Sequence, residues 1–356
     1  MPLGLTRDLI VLQNDEWRPN VTDSPQPTRG KRTRQSDAKS ASLASPSRLL
    51  VPLDGSQLAE AILPIADRLA EAGGATISLL HVIEKAAPTE VHGERHLTSR
   101  PEAEAYLSEI ARRLREAGRR VEYHVHEVPV GNVAQSIAAH AEEKGSDLIL
   151  ISTHGEGGIR EAIWGTIAQQ VLHLSTRPVL LVQARPETHV VAFAPRTIMV
   201  PLDATAAAEG ALPLATALAQ QLDTRLRLVM VVPTLETVTA EQVPTATFLP
   251  SATRVLFDIQ EKQANAYLEQ LAEAARAAGV VTQAEVRRGS TVDELAIDTG
   301  EHADGLIVIA THGRAGLQSI WTPSVAARLL RRTRVPILLV PIVEPNAAAE
   351  EGKEKT

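Results

Sequence analysis

The chain has 356 residues, no cysteine and a formal net charge of −7 at a sequence pI near 5.9. At roughly 100–200 residues per domain this length predicts two or three domains, and the lack of cysteine excludes disulfides, thiolate chemistry and cysteine-ligated metals. No lysine- or arginine-dense face gives nucleic-acid binding a footing, and no apolar run approaches the ~18 residues of a membrane span or resembles a signal peptide, so a cytoplasmic protein with no membrane contact is expected.

Residues 1–45 are rich in Pro, Ser, Thr and Arg, carry the basic cluster RGKRTR at 29–34 and show no sustained periodicity. They read as a disordered arm; an arm that docks an acidic partner or a membrane surface is the other reading. A first unit, 46–184, then alternates strand 48–53, helix 56–72, strand 76–82, helix 101–118, strand 121–127, helix 132–144, strand 147–152, helix 165–175 and strand 178–183. Its strands are continuous Val/Ile/Leu runs, as in strands covered on both faces, and Gly73-Gly74, Gly118 and Gly145 each stop a helix just before the next strand. This alternation predicts a doubly wound parallel α/β sheet. After a linker, 185–195, a second unit, 196–342, repeats the order with helices at 205–222, 253–278, 291–302 and 323–332, ahead of a polar tail, 343–356.

The two units are copies. RLLVPLD at 48–54 returns as RTIMVPLD at 196–203, DLILISTHG at 147–155 as GLIVIATHG at 305–313, and RPVLLV at 177–182 as VPILLV at 335–340. Asp54 to Asp203 is a step of 149 residues and Gly155 to Gly313 a step of 158, so the second copy holds nine more residues between those points. Residues 233–252 are the expected home for them, as a flap over the sheet edge or a longer crossover loop.

Each repeated phrase falls at the carboxyl end of a strand, where open parallel sheets place their ligand crevice. In the first unit Ser152-x2-Gly155 is followed after nine residues by Gly165-Thr166 at a helix start. Small residues let the backbone approach a ligand, and a helix N-terminus with a hydroxyl presents donors to an anion. Asp54 at the end of the first strand has two readings, contact with ribose hydroxyls or a phosphate-bound metal, and capping of the next helix together with Ser56. Val82, in LLHVIE, offers backbone groups to a base. The combination describes a nucleotide site.

With these residues the chain resembles the universal stress protein family in its tandem two-domain form, over nearly all of both units. Members that bind ATP carry a G-x2-G-x9-G-(S/T) phosphate motif, an aspartate after the first strand and adenine contacts at the end of the second. The resemblance implies two Rossmann-like domains, each a five-stranded parallel sheet of order 3-2-1-4-5 with helices on both faces. It implies ATP with Mg²⁺ held by Pro52, Leu53, Asp54, Val82, Ser152, His154, Gly155, Gly165, Thr166 and Ile167, with serine standing for the first glycine. It also implies an intramolecular pseudo-dimer through strands 178–183 and 336–341, with a further homodimer and an unknown protein partner open. In the second unit the equivalents are Asp203, Val231, Gly313 and Ser324, but Pro323 replaces the motif glycine. Proline has no N–H to donate; one charge-assisted hydrogen bond is worth about 1.5–3 kcal/mol, so a weakened second site is expected. Thr322-Pro323 also fits an N-cap followed by proline in the first turn.

The expected role is a stress-response sensor or regulator with little or no hydrolysis and no catalytic residue; a nucleotide-independent interaction module is the alternative. One histidine per copy, His154 and His312, without a nearby nucleophile is a poor catalytic pattern, and one loop arginine, Arg160, does not make a phosphoryl-transfer site. An adenylate-forming enzyme would need a Gly/Ser-rich loop where VPLDGS stands at 51–56. His124 and His126 share one strand face and His92-x3-His96 a loop, but zinc needs three or four ligands, so solvated histidines and no metal site are expected. Trp164 and Trp321, at equivalent positions, read as packing anchors.

Overall fold

A computed structural model of the chain describes residues 45–85, 90–91, 94–95, 97–154, 166–184, 193–234, 236–237, 250–312 and 325–342. The expectations for the arm, the linker core at 185–192, the tail, His92, His96, Arg160, Trp164 and Trp321 lie outside these residues.

Among the described residues twelve strands run in chain order: β1 Arg48–Pro52, β2 Thr76–Glu84, β3 Glu90–Val91, β4 Glu94–Arg95, β5 Arg120–Val128, β6 Leu148–His154, β7 Val179–Ala184, β8 Thr197–Leu202, β9 Arg225–Val232, β10 Thr282–Arg288, β11 Gly305–His312 and β12 Ile337–Ile342. β3 and β4 form a small hairpin, and the other ten make one sheet in the order β10-β9-β8-β11-β12-β7-β6-β1-β2-β5. Read from either end, each half is a parallel sheet in which the first strand lies between the second and the fourth. The halves join where β12 meets β7 antiparallel, with Leu338 opposite Leu180 and both fully buried. Two apolar cores, one on each face of the sheet, draw residues from both halves, and Gln221 Nε2 donates to the Leu69 carbonyl at 2.8 Å, tying helix Leu212–Leu222 to helix Leu63–Gly73. Among the described residues no helix is long and apolar enough to cross a membrane.

Two expectations are corrected. The single helix expected at 56–72 is two, Gln57–Glu60 and Leu63–Gly73, and that at 205–222 is likewise Ala206–Glu209 and Leu212–Leu222. The cause is the same in both: Pro64 and Pro213 cannot donate to the carbonyls four residues back, at Glu60 and Glu209, where the short helices end.

The extra residues of the second unit are not a loop insertion. Val82 to its β5 partner His126 spans 44 residues and Val231 to its β10 partner Arg287 spans 56, twelve more. Most of that difference is helix: Pro250–Ala277 has 28 residues against 17 in Arg100–Glu116. The span on to the end of the fourth strand is three residues shorter in the second unit, 25 from Arg287 to His312 against 28 from His126 to His154, which leaves the net nine.

Candidate functional site

In the first unit β1 stops short of its neighbours. Its last pair with β2 is Pro52 with Leu80, after which Leu53 N–H donates to the Leu80 carbonyl at 2.8 Å and the chain turns away. β2 continues to Glu84 and β6 to His154. A notch therefore opens at the carboxyl end of β1, at the point where the connections of the sheet diverge to opposite faces.

Asp54 stands at this notch, exposed, in a turn its own carboxylate organises. Oδ1 accepts from Ser56 N–H at 2.9 Å and from Ser56 Oγ at 2.7 Å, and Ser56 Oγ in turn accepts from Ala59 N–H at 3.0 Å. The capping residue is thus Ser56, and Asp54 fixes the cap from two residues upstream. The second unit repeats the device: Thr205 caps through Ala208 N–H at 3.2 Å while donating to Asp203 Oδ1 at 2.6 Å.

Between cap and carboxylate, Gly55 has φ +96, and a Cβ there would lie 2.8 Å from Leu97 Cδ1. Only glycine takes this conformation without strain, and Leu97 closes over the turn. His81, 1% exposed, fixes that closure, with Nδ1 2.7 Å from the Leu53 carbonyl and Nε2 3.2 Å from the Leu97 carbonyl. Sequence reasoning missed His81, although a histidine inside an apolar strand run is a signal of its own.

Behind the turn, Tyr106 of the helix Arg100–Glu116 is pushed up from its ordinary pKa by burial and by the charges of Glu60 and Asp54. Its counterpart Tyr267 donates to Glu209 at 2.9 Å and is raised by burial, that bond and the charges of Glu209 and Asp203. A tyrosine and a glutamate thus back the aspartate in both units, a pairing no local motif announces.

Ser152 is buried, and its hydroxyl donates to the Leu58 carbonyl at 2.6 Å, so the side chain binds the short helix Gln57–Glu60 to β6. Thr153 donates to the Val182 carbonyl at 3.2 Å. Val82 is buried on β2, two residues past the last β1 pair, and Thr166 and Ile167 are exposed at the start of the helix Thr166–Leu174. The first N–H groups of that helix have no partner within it. The structure thus brings Pro52, Leu53, Asp54 and Val82 together through β1 and β2, and links Ser152 to them through Leu58. The His154 backbone ends β6; its side chain, Gly155, Gly165, Gly313, Pro323 and Ser324 lie outside the described residues, while Val231 and Asp203 occupy the matching notch of the second unit.

One expectation about side chains is overturned. His124 and His126 are not solvated: they lie half-buried against His140 of the helix Val133–Glu143, with ring centroids 4.9 and 4.7 Å from its ring.

A family model described as "Universal stress protein family" matches residues 46–183 and again 195–341. Universal stress protein YxiE of Bacillus subtilis is 30% identical over 151 residues, 38% of this chain and 99% of that protein. Universal stress protein MJ0577 of Methanocaldococcus jannaschii is 24% identical over 157 residues, 39% of this chain and 95% of that protein. A crystal structure of a universal stress protein from Archaeoglobus fulgidus superposes at a TM-score of 0.61 with 18% identity, covering 83% of this chain and 98% of that one.

Proposed function

Because the chain belongs to the universal stress protein family, its model matching twice and over most of the length, we propose that the first unit, 46–184, binds ATP with Mg²⁺ and that occupancy sets the contacts of a cytoplasmic stress-response regulator. The observation that carries the reading is the notch at β1, where an exposed carboxylate stands beside the edge of β2 past its last β1 pair. Asp54 would take the ribose hydroxyls or the phosphate-bound Mg²⁺, the backbone around Val82 the base, and the start of the helix at Thr166 the phosphates. The Ser152 hydroxyl is committed to Leu58, so serine in place of the motif glycine would add little bulk toward a phosphate. Pro323 makes the second site the weaker of the two. The arrangement is one of binding: the Asp54 carboxylate is held in a capping turn, where it is poorly disposed to act as a base for water.

Gly165→Val places a side chain in the phosphate motif and separates this reading from a nucleotide-independent interaction module. With the fold intact by circular dichroism, the variant is expected to lose at least about tenfold in MgATP affinity and, with it, partner binding and stress tolerance in cells. Partner binding that survives the loss of nucleotide would establish the interaction module instead.

A further inference from the structure

The internal repeat sets the same four positions of each unit side by side. The registers Pro52 with Leu80 and Pro201 with Val229 make Ser78 the counterpart of Arg227. The pairs Leu80 with His124 and Val229 with Glu285 make His124 the counterpart of Glu285, and His126 that of Arg287. On the overlying helices, buried Ala134, Ile137, His140 and Ala141 match buried Val292, Leu295, Asp298 and Thr299.

In the second unit this layer is a closed ion-pair cluster. Arg227 holds Asp298 through two hydrogen bonds of 2.9 and 2.7 Å, and Arg287 reaches Glu285 and Asp298 at 2.8 Å and Glu301 at 2.9 Å. In the first unit the same space holds three imidazoles. His140 is 1% exposed. Among the described residues, both of its ring nitrogens and His124 Nε2 are buried without a hydrogen-bond partner, as is Ser78 Oγ. Orphaned buried polar atoms are rare in native proteins, and an ion is one of the few things that accounts for them.

We propose that His124, His126 and His140 form a binding site for a divalent transition-metal ion, zinc being the type, with imidazole nitrogens as ligands. His-x-His on a strand puts two rings on one face, and the helix above supplies the third. Two imidazoles bound tetrahedrally at about 2.0–2.1 Å place their ring centroids about 5 Å apart, close to the 4.9 and 4.7 Å separating His140 from the other two. Binding requires the side chains to rotate so that the nitrogens turn inward. His126 Nδ1 already lies 3.2 Å from Ser136 Oγ, which orients that ring and leaves Nε2 for the metal. Asp298, Glu301 and His302 also gather in the second unit, but Arg227 and Arg287 occupy Asp298.

The test uses the metal-stripped full chain. Titration with Zn²⁺ alone is expected to give one site per chain, and Co²⁺ the visible absorption of a low-coordinate nitrogen-ligated ion. His140→Gln and His126→Gln should each weaken Zn²⁺ at least about a hundredfold, beyond the 10–100-fold typical of second-shell losses, and abolish the Co²⁺ spectrum, while His302→Gln leaves both unchanged. Should His140→Gln fail to fold, the half-buried His124→Gln takes its place. A wild-type chain without the Co²⁺ spectrum, or folded variants that keep wild-type Zn²⁺ affinity, would overturn the proposal.

Discussion

Asp54 and Asp298 are both carboxylates in repeat-equivalent frameworks, yet their surroundings set opposite tasks. Asp54 is exposed, and its Oδ1 anchors a capping turn, so its removal acts on the notch and the helix start that Ser56 controls. Asp298 is 1% exposed and neutralises Arg227, itself 5% exposed. Removing one partner of a buried pair leaves the other charge uncompensated, which costs about 3–5 kcal/mol. Asp298→Ala is therefore expected to lower the unfolding free energy by that amount in urea titrations, and a loss below about 1 kcal/mol would show the cluster to be solvated. The places of Asp54 just after β1 and of Ser152 in β6 were legible in the sequence because the phrases that carry them occur twice. His81, Tyr106 and His140 were not, because their partners come from Leu97, Glu60 and β5, far along the chain.

At the scale of elements, the strands were readable because both faces are covered and the apolar runs are unbroken. The helices at Pro64 and Pro213 were read as continuous because the apolar periodicity runs straight through the break, although proline in a helical run is itself a stop signal. The long helix from Pro250 was placed partly in a loop; Pro250-Ser251, proline at a helix start, was the overlooked cue. The phosphate-motif helix of the second unit carries its own prediction. Pro323→Gly returns the missing N–H donor and is expected to raise MgATP affinity at the second unit about ten- to a hundredfold, seen as a second binding event in calorimetry. No change would mean that the second notch is disabled by something other than the proline.

Across the whole molecule, the antiparallel meeting of β7 and β12 turns two five-stranded sheets into one of ten strands and covers an edge each half would otherwise expose. The join relates the halves as a pseudo-twofold pair, so two equivalent notches exist in one polypeptide, with differences concentrated in Pro323, the lengthened helix and the histidine or ion-pair layer. The family resemblance implied this pairing, with RPVLLV and VPILLV as the strands that carry it; the layer beneath the helices was hidden because its residue types differ completely between copies. The central claim is that these near-identical frames have unequal nucleotide affinity. Isothermal titration of the nucleotide-stripped full chain with MgATP tests it most directly: the account predicts one site per chain, abolished by Gly165→Val, whereas two equivalent sites, or none, would contradict it.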